Sequence, residues 1–207
     1  IGGNNNPLRD NSREQSLSKI INDISLHSLE FGPPNNWLSL PFLSTGGAEM
    51  VAINFCKAIR EISPNSSVLL IITDRSAVNE KIEIPTGTKL IVLNDYLDKD
   101  FSYPKKQALL RDMLTALRPK CFHNINSEVA WNLIISEGEK LKKIVKIYSS
   151  IFAFQFSSDG HTKIGYAAYF LEKGLPHLSG LISDNKRFID DAIQEYSVDR
   201  SRHSDFW

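Results

Sequence analysis

The sequence predicts an α/β fold, Rossmann-like and doubly wound, with a mainly parallel sheet and helices on both faces. Apolar runs and amphipathic stretches alternate from Trp37 onward, which is typical of repeated strand-helix-strand units with right-handed crossovers. Several runs, above all 68–72 with the sequence VLLII, are continuously apolar. Such runs indicate strands buried on both faces of a sheet. In folds of this kind, ligands bind beyond the carboxyl ends of the strands.

The elements of this fold follow from the spacing of the apolar residues. Strands are predicted at 37–42, 68–73, 89–93, 121–125, 144–148 and 178–183. Helices are predicted between them at 47–62, 104–117, 128–140 and 186–196, where apolar residues recur every three or four positions. The segment 149–174 is long, aromatic and only partly regular. Loops of that length are often functional, and the alternative is that its aromatic residues fill a subsidiary core.

The chain divides into three predicted parts. Residues 1–34 form an N-terminal extension with one amphipathic helix, whose apolar stripe ends before Gly32-Pro33-Pro34. Residues 35–198 form the Rossmann-like domain. Residues 199–207 are interpreted as a linker toward a second domain. Because the chain begins without methionine and stops at Trp207 without closing signals, we expect it to be a piece of a longer polypeptide.

The composition favours a globular protein and disfavours a nucleic-acid partner. The 207 residues are 42% hydrophobic and carry 24 basic and 24 acidic side chains, so the formal net charge is zero. A domain that neutralises many phosphates is usually basic. The sequence has no apolar run near the ~18 residues of a membrane span, and its polar start lacks the apolar core of a signal peptide. The expected location is the cytoplasm.

The thiols and imidazoles predict no metal site. Cys56 and Cys121 are isolated and are expected to be reduced core residues. No two of the five histidines stand four residues apart, and none has a carboxylate at metal-ligand spacing; they are His27, His123, His161, His177 and His203. His123 lies within a strand pattern and is expected to be packed and hydrogen-bonded.

The most informative stretch is 38–49, where an apolar run breaks at Gly46-Gly47 and passes into an amphipathic helix. A strand, a tight turn and a helix start leave backbone N–H groups free for a phosphate. Glycine suits this turn because it tolerates positive φ and admits a ligand close to the backbone. The alternative is that both glycines only make the turn. The apolar face of the helix is predicted to be buried, and comprises Val51, Ala52, Phe55, Cys56, Ile59 and Ile62.

Polar residues follow every predicted strand and would meet at one edge of the sheet. They occupy positions 44–47, 73–74, 94–95, 124–127, 148–150 and 183–185. Such side chains supply the donors and acceptors that hydroxyl-rich ligands require, although each is also a good helix N-cap. The dinucleotide fingerprint G-x-G-x-x-G and the P-loop Gly-Lys-Ser/Thr are both absent. A nicotinamide-dependent enzyme remains an alternative, and in such an enzyme Asp74 would be the ribose-binding acid.

Three stretches resemble one known family. The stretch 41–62, with Gly46-Gly47-Ala48-Glu49 opening its helix, resembles the N-terminal domain of retaining GT-B glycosyltransferases of the glycogen-synthase-like bacterial group that builds surface polysaccharides. The stretches 118–127 (RPKCFHNINS) and 181–196, which begins with LISDN, resemble further parts of the same domain. The resemblance covers about 36–198.

This resemblance implies the transfer of a sugar from a nucleotide-sugar donor to a saccharide or lipid-linked acceptor, in a cleft between two domains and without a metal or other cofactor. It places Gly46 and Gly47 near the donor diphosphate. The acceptor-binding candidates are Asn124, Asn126, Tyr148, Asp159, His161 and Asp184. No catalytic residue is assigned, because Ile147-Tyr148-Ser149 stands where many members have a histidine. Without the second domain, we expect the chain to be inactive alone.

Two further hypotheses concern partners. A basic patch is predicted to touch anionic membrane at the inner face, where lipid-linked acceptors reside. Its residues are Lys140, Lys142, Lys143 and Lys146, with Lys105 and Lys106; a solvated helix end is the alternative for the first four. The second hypothesis is a non-catalytic sugar-binding or interaction module, since one fold serves many functions.

Overall fold

The computed structural model describes residues 11–97, 102–196 and 203–205. The bounds of the helices and strands are α1 Asn11–Phe31, β1 Asn36–Leu40, α2 Gly47–Ile62, β2 Val68–Ile72, β3 Thr88–Val92, α3 Tyr103–Leu117, β4 Cys121–Ile125, α4 Glu128–Leu141, β5 Lys146–Ser150, β6 Gln155–Phe156, β7 Lys163–Ile164, α5 Glu172–Gly174, β8 Gly180–Ser183, α6 Lys186–Tyr196 and β9 His203–Asp205. Strands and helices alternate except at β2–β3 and at β5–β6–β7.

The main sheet confirms the predicted doubly wound α/β fold. Its strand order is β3-β2-β1-β4-β5-β8-β9, and every neighbouring pair is parallel. The order reverses between β1 and β4, where Ser39 lies opposite Asn124. In such sheets the crevice at the point of reversal is the usual ligand site. The turns that follow β1 and β4 flank this point.

Helices cover both faces of the sheet, but unequally. One face carries α1, α3, α4 and α6 and buries the larger core, which includes Phe122, Trp131 and Phe188. The other face carries α2 and the segment 78–84, over a smaller core that includes Leu38 and Leu70. Because both faces are covered, the central strands can be continuously apolar, as Val68–Ile72 is.

Helix α2 buries a narrower face than its apolar pattern predicts. Its buried apolar residues are Ala52, Ile53 and Cys56. These side chains are buried because the helix packs on β1 and β2. The prediction that Ile62 is buried is wrong, since its side chain is 82% exposed. Burial raises the pKa of the Cys56 thiol to about 12, as expected for a core cysteine. Cys121 is only half-buried, which corrects the corresponding expectation.

Helix α1 packs on α3 and β3 and adds Ile20 and Ile24 to the larger core. It is also fastened by a side-chain hydrogen bond from Tyr96 Oη to Asp23 Oδ2, of 2.5 Å. Strand β9 pairs with β8, whereas the rest of the predicted linker 199–207 and residues 1–10 of the predicted extension lie outside the described residues. Across the described ranges, none of the helices has both the length and the apolar character that crossing a membrane requires.

The segment after β5 differs most from the sequence prediction. β5 begins two residues later than predicted, because Ile144 and Val145 close the last turn of α4 through N–H bonds to Leu141 O. The chain then forms the antiparallel hairpin β6–β7. A continuous helical run follows, with π-helical Ala167–Leu171, α5 and 3-10 Leu175–His177. Its aromatic residues divide between the core and the surface, since Phe154, Tyr166 and Phe170 pack on the larger core while Phe156 and Tyr169 are exposed.

Candidate functional site

The turn from β1 into α2 exposes backbone at one glycine and covers it at the other. Gly46 is the N-cap of α2 and has an extended backbone, with φ −151° and ψ 171°. The glycines with positive φ lie elsewhere, at Gly32, Gly87, Gly160 and Gly165. The expectation that this turn needs glycine for positive φ is therefore wrong. A Cβ built on Gly46 would lie 2.4 Å from Glu49 Oε2, whereas a Cβ on Gly47 would meet no described atom within 4 Å.

Glu49 folds back over the first turn of α2. Its side chain is buried, and Ser44 Oγ donates to its Oε1 at 3.1 Å. A carboxylate in this position is favoured by the positive end of the helix dipole. Because Glu49 covers Gly46, the open approach to the N-terminus of α2 lies at Gly47, which is exposed.

The turn from β4 into α4 is closed by an internal carboxylate. Asp74 follows β2 and is 8% exposed; its Oδ2 accepts the N–H of Glu128 at 3.0 Å and its Oδ1 accepts the hydroxyls of Thr73 and Ser127 at 2.7 and 3.2 Å. The ammonium of Lys106 donates to the backbone oxygen of Asp74 at 2.7 Å. The carboxylate that a nicotinamide enzyme would offer to a ribose is therefore engaged within the protein.

The two asparagines of this turn face different environments. Asn124 is fully buried; its Oδ1 accepts Ser127 N–H at 2.9 Å and Ser39 Oγ–H at 3.3 Å, and its Nδ2 donates to Ser127 O. Its side chain is thus spent on holding the turn. Asn126 adopts the left-handed conformation, φ 61°, and lines a small cavity of about 120 Å³ together with Phe152, Gln155 and Tyr166.

The other predicted acceptor residues are not brought together with Asn126. Tyr148 is half-buried and lies on the α2 face of the sheet, because its neighbour Ile147 points into the larger core. Asp159 and His161 are exposed at the tip of the β6–β7 hairpin. Hydrogen bonds from Ser157, Thr162 and the N–H of His161 hold the pKa of Asp159 well below its usual range. Asp184 is exposed in the turn between β8 and α6.

Three adjoining cavities follow the carboxyl edge of the sheet around the hairpin. The Asn126 cavity shares Tyr166 with a cavity of about 280 Å³ that is also lined by Glu128 and Tyr169. On its other side it shares Ala153 with a groove of about 650 Å³ between the hairpin and α6. We call this last one the hairpin groove; its residues include Phe154, Phe156, Lys163, Asn185, Asp191 and Glu195.

Two tyrosines near this edge, Tyr103 and Tyr166, remain protonated at neutral pH. Burial raises the pKa of Tyr166 and of Tyr103, and the carboxylates of Asp74 and Glu128 raise both further, against an opposing effect of Arg75. A protonated phenol both donates and accepts a hydrogen bond. The edge therefore combines neutral hydroxyls, an amide and a carboxylate, which are the groups that bind hydroxyl-rich ligands.

His123 confirms the expectation of a packed histidine. It is 8% exposed, its Nε2 lies 2.8 Å from Ser150 Oγ, and its ring meets Phe55 edge-on with centroids 4.8 Å apart. Burial lowers its pKa to about 4. Within the described ranges, no three His, Cys, Asp or Glu side chains are grouped so as to hold a metal ion.

The predicted lysine patch divides between opposite edges of the sheet. Lys106 is buried beside Asp74 at the carboxyl edge. Lys140 and Lys142, at the end of α4, pair with Glu137 and Glu139 at 3.5 and 2.7 Å. Lys143 and Lys146 are exposed beside the amino ends of the strands, whereas Lys105 is exposed next to Lys106.

The sequence singles out the aromatic loop, but not Lys163 or the residues of α6 that complete its groove. Lys163 pairs with Glu195, 32 positions away, and no local pattern connects them. Tyr166 was noticeable as an aromatic residue beside Gly165, which has φ 78°. Its place next to Asn126 depends on how the hairpin after β5 folds back, which no local pattern in the sequence predicts.

Comparison with solved structures supports the fold. The apo form of the lipopolysaccharide outer core galactosyltransferase WaaB matches with a TM-score of 0.55 and 12% identity, over 82% of this chain and 44% of that one. This chain thus spans less than half the length of that enzyme. The wall teichoic acid polymerase TagF matches with a TM-score of 0.44 and 10% identity, over 93% and 47% of the two chains, which is too weak to support an argument. The sequence matches no model of a known protein family and no curated protein.

Proposed function

We propose that this chain is the N-terminal, acceptor-side domain of a GT-B glycosyltransferase that transfers a sugar from a nucleotide-sugar donor to a saccharide or lipid-linked acceptor. One observation carries the proposal: the fold matches part of a galactosyltransferase over 82% of this chain and 44% of that enzyme, as expected of one domain of a two-domain enzyme. The sequence resemblance favours a retaining enzyme of bacterial polysaccharide synthesis.

The donor contact is proposed at the start of α2. Gly47 is exposed and offers open space at the N-terminus of a 16-residue helix, and such an N-terminus attracts phosphate through free N–H groups and the helix dipole. Gly46 shapes the turn, because its missing Cβ leaves room for the Glu49 carboxylate. The second domain would hold most of the nucleotide, and neither a metal nor another cofactor is required.

The acceptor contact is proposed in the cavities beside β4 and the hairpin. Asn126, Gln155 and Tyr166 converge there, and their amides and hydroxyl match the donors and acceptors of a sugar ring. Tyr148, Asp159, His161 and Asp184 lie outside this convergence. Asn124 acts indirectly, because its side-chain hydrogen bonds fix the turn that presents Asn126.

A peripheral contact with an anionic membrane, at the cytoplasmic face, is a separate proposal. Lys143 and Lys146 are exposed at the amino edge, and each basic residue near such a surface contributes about 1 kcal/mol. Cosedimentation with phosphatidylglycerol vesicles, comparing the parent with K143Q/K146Q, tests it. Binding that the double substitution leaves unchanged would exclude these lysines.

The competing function is a non-catalytic sugar-binding or interaction module on the same fold. Sugar transfer distinguishes the two. The protein translated from the whole reading frame should release nucleotide from one of a panel of nucleotide-sugars in the presence of acceptor, and the 207-residue chain alone should not. Saccharide binding with no turnover by the longer protein would favour the module.

A further inference from the structure

The hairpin groove is a preformed depression at the end of β8. It lies between the β6–β7 hairpin and α6, with a volume of about 650 Å³. This is within the range of small-molecule sites, about 300 to 1,000 Å³. None of the predicted donor or acceptor residues lines it, so its presence is unexplained by the site described above.

The floor of the groove is held rigidly by contacts between its two walls. Phe188 of α6 is 2% exposed and packs against Phe154, with ring centroids 4.9 Å apart. The Lys163 ammonium lies 4.0 Å from the centroid of the Phe154 ring and pairs with Glu195 of α6. The aromatic pair and the ion pair thus fasten the hairpin to the helix, and the cation–π contact holds Lys163 and Phe154 together within the hairpin wall. A site that is ordered before binding loses less entropy on binding.

The exposed surface of the groove mixes one aromatic ring with amides and balanced charges. Phe156 is 50% exposed. Around it stand Asn185 and Gln194, two cations, Lys163 and Arg187, and two carboxylates, Asp191 and Glu195. Because the charges cancel, the groove offers no net attraction to a phosphate. The ring and the amides suit a neutral ligand with one apolar face and many hydroxyls, which is the chemistry of a sugar.

The groove is too far from the glycine turn to touch the reacting sugar. From β1 the sheet continues through β4 and β5 to β8, which is three strand spacings, or about 14 Å. The cavities that share Ala153 and Tyr166 continue from the groove along the same edge as far as Asn126 and Glu128. A ligand that fills the groove and reaches the glycine turn must therefore be extended.

We infer that the hairpin groove is a remote subsite that binds a neutral saccharide segment of an extended acceptor. This inference rests on the proposed function and adds to it the class of acceptor: a chain of several sugars rather than a single sugar or a bare lipid phosphate. Phe156 supplies the stacking surface, and Gln194, Asp191 and Asn185 supply hydrogen bonds to hydroxyls.

Chemical-shift titration of the isotope-labelled chain tests the inference. The probes are maltohexaose, cellohexaose and a β-galactan hexamer, with UDP as a charged comparison. At least one oligosaccharide should shift the amides of Phe156, Lys163 and Glu195, and UDP should not displace it. Phe156→Ala should weaken that binding about fivefold, and Gln194→Ala should weaken it as well. Leu29→Ala, which removes an apolar side chain that is 85% exposed on α1, is the matched control and should have no effect.

The outcomes separate this inference from the proposed function. Absence of groove shifts with all three oligosaccharides, or affinity unchanged in both groove variants, would overturn the subsite. If transfer by the longer protein occurs while F156A leaves the KM for a long acceptor unchanged, the subsite is wrong and the function stands. If the groove binds an oligosaccharide and no transfer is found, the subsite stands and the glycosyltransferase proposal fails.

Discussion

Asp74 Oδ2 accepts the backbone N–H of Glu128 at 3.0 Å, so a carboxylate from the end of β2 closes the N-terminus of α4. Two helices, α2 and α4, begin beside the point where the strand order reverses. The first is approachable at Gly47, whereas the second is sealed by Asp74 and by Ser127, whose Oγ accepts the Ala130 N–H at 3.0 Å. At this edge the N-terminus of α4 is therefore closed by the protein itself, whereas the N-terminus of α2 is open to a ligand.

Replacing Asp74 should destabilise the fold. Asp74→Ala removes the acceptor for Thr73, Ser127 and the start of α4 and leaves Lys106 buried without its counter-charge. We expect a loss of about 3 kcal/mol in the free energy of unfolding, measured by urea denaturation. Asp184→Ala, at an exposed position, is the control and should change it by less than about 0.5 kcal/mol. A similarly small effect at Asp74 would show that the network contributes little.

The two glycines of the α2 turn should respond differently to alanine. Gly47→Ala meets no described atom and should leave the free energy of unfolding unchanged or slightly higher. In the longer protein it should weaken nucleoside diphosphate binding about fivefold, because the new methyl group obstructs the approach to the backbone. Isothermal titration with UDP, GDP and CDP measures this, with Lys57→Ala on the same helix as the control. Unchanged affinity for each nucleotide that the parent binds would remove Gly47 from the donor site.

Removing the Tyr166 hydroxyl should affect the acceptor alone. Tyr166→Phe keeps the ring between the two smaller cavities and deletes one hydrogen-bonding group. The KM for acceptor should rise about three- to tenfold, while kcat and the KM for donor stay the same. Steady-state kinetics of the longer protein separate these parameters. A rise in the KM for donor would instead assign Tyr166 to the donor site.

Stability should fall in mild acid because of His123. Burial lowers its pKa to about 4 in the folded protein, against about 6.5 in an unfolded chain. Below pH 6.5 the unfolded chain binds a proton at His123, whereas the folded protein does not. The free energy of unfolding therefore drops as the pH falls toward 4. The loss from pH 7 to pH 5 should be about 2 kcal/mol. His123→Gln should flatten this slope in urea denaturation, and an equally steep slope in that variant would assign the effect to another group.

Elements with strong local signals could be predicted from the sequence. Helices Gly47–Ile62 and Lys186–Tyr196 have the predicted bounds, because a polar or glycine turn precedes a clear helical period in both. β5 was misplaced, because the apolar run from Ile144 continues a strand pattern while the backbone of Ile144 and Val145 still closes α4. Backbone hydrogen bonds at the end of α4 set the start of β5, and a hydropathy pattern carries no information about those bonds.

The candidate site was harder to predict than the fold. Asn124 and Asn126 are two residues apart and look equivalent in the sequence, yet one is fully buried and the other has φ 61° and lines a cavity. The hydrogen bonds to Ser39 and Ser127 make that difference. The hairpin groove depends on the contact of Lys163 with Phe154 and Glu195, which arises only after the hairpin docks on α6.

The most direct test of the central proposal is sugar transfer from a panel of nucleotide-sugars, measured in parallel on the protein from the whole reading frame and on the 207-residue chain. The proposal predicts transfer to a saccharide or lipid-linked acceptor by the longer protein and none by the chain alone. Transfer by the 207-residue chain, or none by the longer protein with any donor of the panel, would contradict it.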